Sequence, residues 1–257
     1  MQTIKNNIVY NKKDNDELLE LVKIIEQEPN FIDHQFPSNV QSLITGCNSS
    51  KYSGEWNSVK WRRLPNINLG KLTLCNEIEP GKLRYGKVEI RNILNVLGVL
   101  ACKRELIDRI IEIKDIKSNV FAVWLFMDGK WQLFVIDILF PSYGTNITSK
   151  FIFSYTENYD VWANIVEKAY AKALHSYYKL LIPNALFTLQ HFIGLPIEKV
   201  PMYDLKELWA KLKDNLKKSN IIVSEFNDED GFENLFSVVN FYEHPTCKLL
   251  KVKNGYK

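Results

Sequence analysis

The chain has 257 residues, 46% of them hydrophobic and 25% charged, with a formal net charge of +3. That is enough apolar material for one compact unit of two lobes, and too mild a charge, with no stripe of cations interleaved with aromatics, to argue for a nucleic-acid partner. No apolar run approaches the roughly 18 residues of a membrane span and the polar start Met1-Gln2-Thr3-Ile4-Lys5-Asn6-Asn7 is no signal peptide, so a cytoplasmic protein without a membrane contact is expected.

Residues 16–27 read as an amphipathic helix, with Leu18, Leu19, Leu21, Val22, Ile24 and Ile25 forming its apolar face. Residues 38–88 show little periodicity and many turn formers, which predicts an irregular segment held by Trp56, Trp61 and scattered apolar residues. Ile93, Leu94, Leu97, Leu100 and Ala101 recur at helical spacing and place Arg91 near a helix N-terminus; Leu106, Ile107, Ile110 and Ile111 continue the pattern. Residues 119–127 and 131–138, rich in aromatic and β-branched side chains, flank Asp128-Gly129 as a hairpin would.

Helices are then expected at 160–174, 185–192 and 205–216. The last is opened by Asp204 with Glu207 at capping-box spacing. Short strands are expected at 221–224, 235–242 and 248–253. The four cysteines, Cys47, Cys75, Cys102 and Cys247, have no paired spacing and predict reduced thiols. His244 and Cys247 offer zinc two ligands where a structural site takes four.

Four segments carry a family resemblance, in family order. Val161-Trp162-Ala163-Asn164-Ile165-Val166-Glu167-Lys168-Ala169-Tyr170-Ala171-Lys172 and the following residues to Tyr177 resemble the "FW..LLEKAYAK..GSYE" helix of the calpain catalytic core. Phe31-Ile32-Asp33-His34-Gln35-Phe36-Pro37 resembles its entry motif, Trp61-Arg62-Arg63 its "WKR" element, and Gly129-Lys130-Trp131 through Ile136-Asp137-Ile138-Leu139-Phe140-Pro141 its "GEWVDVVVDDLLP" strand. The resemblance implies an α+β, papain-like, two-lobed cysteine-protease fold. It implies an N-terminal helical extension at 1–30, a helical first lobe at 31–183, and an antiparallel-sheet second lobe at 184–257 that stops short.

A cysteine protease needs a thiolate, a histidine base, a group orienting that base, and donors for the oxyanion. The family's "QGxLGDCW" corresponds to Tyr85-Gly86-Lys87-Val88-Glu89-Ile90-Arg91-Asn92, which puts Tyr85 at the oxyanion glutamine and Arg91 at the nucleophile. "GHAYSVT" corresponds to residues 233–239 with Asn234 at the base, and the orienting asparagine is retained as Asn254. A register slip of one residue would put Asn92 at the nucleophile, which is no nucleophile either. Cys102, eleven residues further on and about 16 Å along a continuing helix, is read as a buried small hydrophobe. His34, His175, His191 and His244 are read as structural or surface residues. Where the family has a glycine pair in its substrate groove, this chain has Ile182-Pro183.

Calcium is not expected as a cofactor. The resemblance maps one first-lobe ligand onto Lys82 and another onto Asp160; an ammonium at the first would repel Ca²⁺, and two readings stand for it, a pair with Asp160 or an exposed lysine with no such partner. Asp228-Glu229-Asp230-Gly231 fails as an EF-hand, because Phe226 and Ser237 would stand at its first and twelfth positions. The expectation is a catalytically inactive calpain-like module, without cofactor or metal, that acts as a structural or protein-binding component, with a cytoskeletal or ciliary assembly suggested by composition. The alternatives are a regulatory subunit of an active calpain or a residual peptidase. A protein partner is expected to cover the edge left at 248–253 by the shortened sheet, the alternative being that Tyr256 and the terminal residues cover it.

Overall fold

The computed structural model describes residues 27–195 apart from 29, 47–55, 57, 68–69, 114, 146–147 and 182–184, parts of two helices at 16–23 and 206–214, and two strands at 222–227 and 233–238. Cys47, Ile182-Pro183, Asp204, Glu207, residues 228–231, His244, Cys247, the expected strand at 248–253 and Asn254 lie outside the described residues. The chain divides into two compact units, Met1–Pro196 and Ile197–Lys257.

In the first unit the order is α1 (Val40–Ile44), β1 (Lys60–Arg63), β2 (Leu83–Tyr85), α2 (Arg91–Ala101), α3 (Arg104–Ile110), β3 (Val120–Met127), β4 (Lys130–Asp137), β5 (Leu139–Tyr143), β6 (Lys150–Phe151), β7 (Ser154–Thr156), α4 (Trp162–Ala173) and α5 (Ala185–Ile193). Among its described residues the segment expected to be irregular holds the short helix α1, two 3-10 turns at Leu64–Asn66 and Pro80–Lys82, and two short strands. Their side-chain pattern is too brief to register as a period, and long-range pairing makes them strands: β1 lies antiparallel on β5, which carries β6 on its other side, while β2 pairs with β7.

The hairpin of β3 and β4 forms as the sequence suggests, with Val120 opposite Asp137 and Met127 opposite Lys130. Asp128 (φ 51°) and Gly129 (φ 77°) take the two left-handed positions that a tight hairpin turn requires. All of β3 up to Leu125 is buried, which accounts for its nearly continuous apolar run.

Helix α4 is the axis of the unit: every residue from Trp162 to Ala171 is buried, the ionisable Glu167 and Lys168 included. A helix covered on all sides needs apolar residues all round, and its polar members must find partners inside. Asn164 donates to Ser154 O (2.6 Å), and Lys168 donates to Asp137 Oδ1 (2.5 Å) and Leu139 O (2.5 Å). The first unit runs past the boundary expected at 183, because α5 buries Leu189 and Phe192 in it and Tyr170 donates to Thr188 Oγ1 (3.2 Å).

In the second unit β8 (Ile222–Asn227) and β9 (Glu233–Val238) form an antiparallel hairpin with Phe226 opposite Asn234. The described residues between 206 and 214 are helical. No helix among the described residues is long and apolar enough to cross a membrane.

Candidate functional site

Helix α2 is fixed by its apolar face: Ile93, Val96, Leu97 and Leu100 are each at most 1% exposed. That burial sets the helix phase and leaves its first residue, Arg91, at the surface. Ile90 is the N-cap and supplies no side-chain cap. The partial positive charge of a helix N-terminus favours anions and disfavours a guanidinium by about 0.3–1 kcal/mol at an exposed site. Glu89 answers it, accepting from Arg91 Nε at 2.6 Å. With side chains 49% and 40% exposed, the pair stabilises the fold by about 0–1 kcal/mol. An ion pair thus stands where the resemblance puts a thiol, and its electrostatics are those of an exposed zwitterion.

Tyr85 closes β2 opposite Ser154 and is 50% exposed. Gly86 follows it, donating its N–H to Phe153 O. A Cβ on Gly86 would lie 2.6–2.7 Å from the carbonyl oxygens of Phe151, Ile152 and Phe153, so close backbone approach dictates glycine there. The structure therefore brings the Tyr85 and Arg91 positions onto one short connection in the first unit. Asn234 lies on β9 in the second unit.

Cys102 is not the buried residue expected. It is exposed at the C-cap of α2, donates its thiol to Gly98 O (3.3 Å), and has its pKa raised by burial of the sulfur. Cys102 keeps helical backbone angles and lies on the stripe of α2 that carries the exposed Arg91, since eleven residues return the helix to within about 20° of the same direction, away from the face of Ile93, Val96, Leu97 and Leu100. Among the other histidines, His191 Nδ1 meets Tyr170 OH at 2.9 Å, and burial lowers its pKa while Asp128 raises it. His34 and His175 are exposed.

Of the two readings of Lys82, the pair with Asp160 is not formed. Asp160, 1% exposed, instead accepts from Thr73 Oγ1, Asn76 N (3.0 Å), Glu77 N (2.7 Å) and Asn158 Nδ2 (3.3 Å). Lys82 sits in a 3-10 turn, where its carbonyl accepts from Glu157 N. The carboxylate is oriented by the loop at 73–77, which also meets α3 through Arg104 Nη2 on Cys75 O (2.9 Å). Backbone donors satisfy the buried charge more fully than one flexible lysine would.

Sequence reasoning missed a buried charge network outside this site. Lys168 and Asp137 form an ion pair with both side chains 0% exposed, and Lys172 pairs with Asp33 at 2.8 Å. The available signal was two lysines four apart on an otherwise apolar helix, which face one direction.

A family model described as calpain family cysteine protease matches residues 31–244. Among curated proteins, Calpain-14 of Homo sapiens is 25% identical over 169 residues, covering 64% of this chain and 24% of that protein. The match therefore spans about a quarter of that relative's length. Together with the α+β architecture, the family match over most of its length shows that this chain belongs to the calpain family of cysteine proteases.

Proposed function

We propose that this calpain-family chain is catalytically silent and serves as a structural or protein-binding component of a larger assembly. The observation that carries the reading is Arg91, the first residue of α2, ion-paired to Glu89 where the family nucleophile belongs. An arginine cannot act as the nucleophile, and the amide of Asn234 cannot take a proton. Tyr85 replaces the glutamine whose side-chain amide would hold the oxyanion. Cys102 offers no substitute, since its thiol pKa is raised rather than lowered and it lies at the far end of α2.

Purified protein is expected to release no fluorophore from peptide substrates at any calcium concentration. Arg91→Cys is expected to remain inactive as well, because the new thiol has no base at Asn234. Turnover by the parent chain sinks the proposal, and rescue by Arg91→Cys alone shows that the base lies elsewhere.

The same reading makes the first unit insensitive to calcium. Asp160 is already engaged by four donors and Lys82 brings a positive charge to the other mapped position. Millimolar Ca²⁺ is expected to leave the Tm unchanged, whereas a site selective for the native state would raise it by mass action. A clear calcium-dependent rise would contradict this.

A further inference from the structure

The connection from Tyr85 to Arg91 is held to the rest of the first unit through one strand. Tyr85 pairs with Ser154 on β7, Gly86 N donates to Phe153 O, and Val88 N donates to Ile152 O at 2.9 Å. Ser154 is in turn fastened to α4: Asn164 Nδ2 donates to its carbonyl (2.6 Å), while its N–H (2.9 Å) and its hydroxyl both donate to Glu167 Oε2. Two side chains three residues apart on one helix face therefore fix the strand that fixes the connection.

Glu167 is buried, and among the described residues no cation meets it. On α4 itself Lys168 and Lys172 are committed to Asp137 and Asp33. Of the elements packed against α4, β3 has no ionisable side chain, and β4 brings Lys130, exposed beside the turn, and Asp137, already paired with Lys168. Strand β7 brings Tyr155, which points to the opposite face from Ser154. The 3-10 turn Tyr177–Leu181 brings Tyr177, with Tyr178 against Trp56 and Lys179 against Gly46, and α5 brings His191 against Tyr170 OH. Only the two donors of Ser154 favour a charged carboxylate, and burial outweighs them, so the closed structure keeps the proton up to a pH of about 8.

We propose that Glu167 is a proton-linked latch: its neutral carboxyl holds Ser154 and, through Ser154, the surface from Tyr85 to Arg91, and loss of the proton accompanies local release of β2 and β7 from α4. Strands β2 and β7 pair over three residues in a sheet of their own, whereas β3 and β4 pair over eight, so the smaller sheet opens at lower cost. Once hydrated, the carboxyl titrates as an ordinary glutamate at about 4.3. Opening therefore releases a proton, and the open population grows about tenfold per pH unit until the closed form itself ionises at about 8. His191, whose pKa burial lowers, would drive any opening that exposed it in the opposite sense, towards low pH. The latch is a property of the fold and stands whether or not the chain cleaves peptide.

Amide hydrogen exchange of the full chain at pH values from about 5 to 8, with each rate divided by the intrinsic rate at that pH, tests the latch. The opening constants of Gly86 and Val88 are expected to exceed those of the β3 and β4 hairpin throughout and to rise about tenfold per pH unit. In Glu167→Gln, which keeps an acceptor for Ser154 and cannot ionise, the rise is expected to vanish. If that variant fails to fold, Ser154→Ala decides: it removes one of the two donors and should open Gly86 and Val88 further at every pH while the rise persists. Opening that is independent of pH in the parent overturns the latch. Constants for Gly86 and Val88 equal to those of the hairpin overturn it as well, because the proton is then linked to global unfolding alone. A rise that survives in Glu167→Gln, or Gly86 and Val88 unchanged in Ser154→Ala, also overturns it.

Discussion

Replacing Asp137 by alanine is expected to destabilise the first unit by about 3–5 kcal/mol, the range for removing one partner of a buried ion pair. Its carboxylate, 0% exposed, meets Lys168 Nζ at 2.5 Å, Leu139 N at 2.9 Å and Asp33 N at 3.0 Å. The substitution orphans two backbone donors and leaves an ammonium enclosed between the Trp61 and Phe140 rings, whose centroids lie 5.6 and 5.1 Å away. Burial already lowers the Lys168 pKa and Asp137 supplies the main opposing effect. For a unit of this size the loss corresponds to a Tm lower by roughly 6–20 °C. Asp137→Asn combined with Lys168→Met, which removes both charges and keeps an acceptor, should cost less than the two single changes added together. Thermal melts of the set check this; a loss below about 1 kcal/mol for Asp137→Ala would show that the pair contributes little.

The second large effect is on pH dependence and comes from Glu167. Its carboxyl is 2% exposed and accepts from Ser154 N (2.9 Å) and Ser154 Oγ. Burial pushes its pKa up to about 8, against the lowering effect of those two hydrogen bonds. An unfolded glutamate titrates near 4.3. Between these values the folded state holds a proton that the unfolded state has lost, so stability falls as pH rises through that window and levels off above pH 8. At 1.36 kcal/mol per unit the fall amounts to about 5 kcal/mol. Glu167→Gln keeps an oxygen acceptor for Ser154 and cannot ionise. The variant is expected to lack this slope and to exceed the parent in stability by pH 9. Denaturant melts from pH 4 to 9 give the difference directly, and parallel curves would mean that Glu167 is not held neutral. Tyr177, fully buried beside it, has its own pKa raised first by burial and then by Glu167 and Asp137.

How much the sequence foretold differs by element, for physical reasons. The β3 and β4 hairpin and helix α4 were legible because local chemistry and long-range packing agree there: Asp128-Gly129 suits the turn, and the periodic apolar residues face the core. Arg91 at a helix start followed from the spacing of the apolar residues after it, whereas its pairing with Glu89 emerged only in the structure. Strands β1 and β2 were not legible, since three or four residues hold no period and their partners lie far along the chain. Asp160 went to loop donors because residues 73–77 pass beside it, a path that no local pattern records. The exposure of Cys102 was legible and overlooked: its eleven-residue spacing from Arg91 puts both on one stripe of α2, opposite the buried face. The charge network around Lys168 was hidden by its own composition, since Asp33, Asp137, Lys168 and Lys172 come from three separate motifs and only the fold joins them.

The central claim is that the chain keeps the calpain-family fold without a working nucleophile. Intact-mass analysis after incubation of the native protein with a peptidyl epoxide that alkylates active-site thiolates tests it most directly, with and without calcium. No adduct is expected on the folded protein at either condition, and equal, non-selective labelling of all four cysteines only after denaturation. One stoichiometric adduct that requires the native fold, forms faster than alkylation of a simple thiol and maps to a single cysteine would contradict the account.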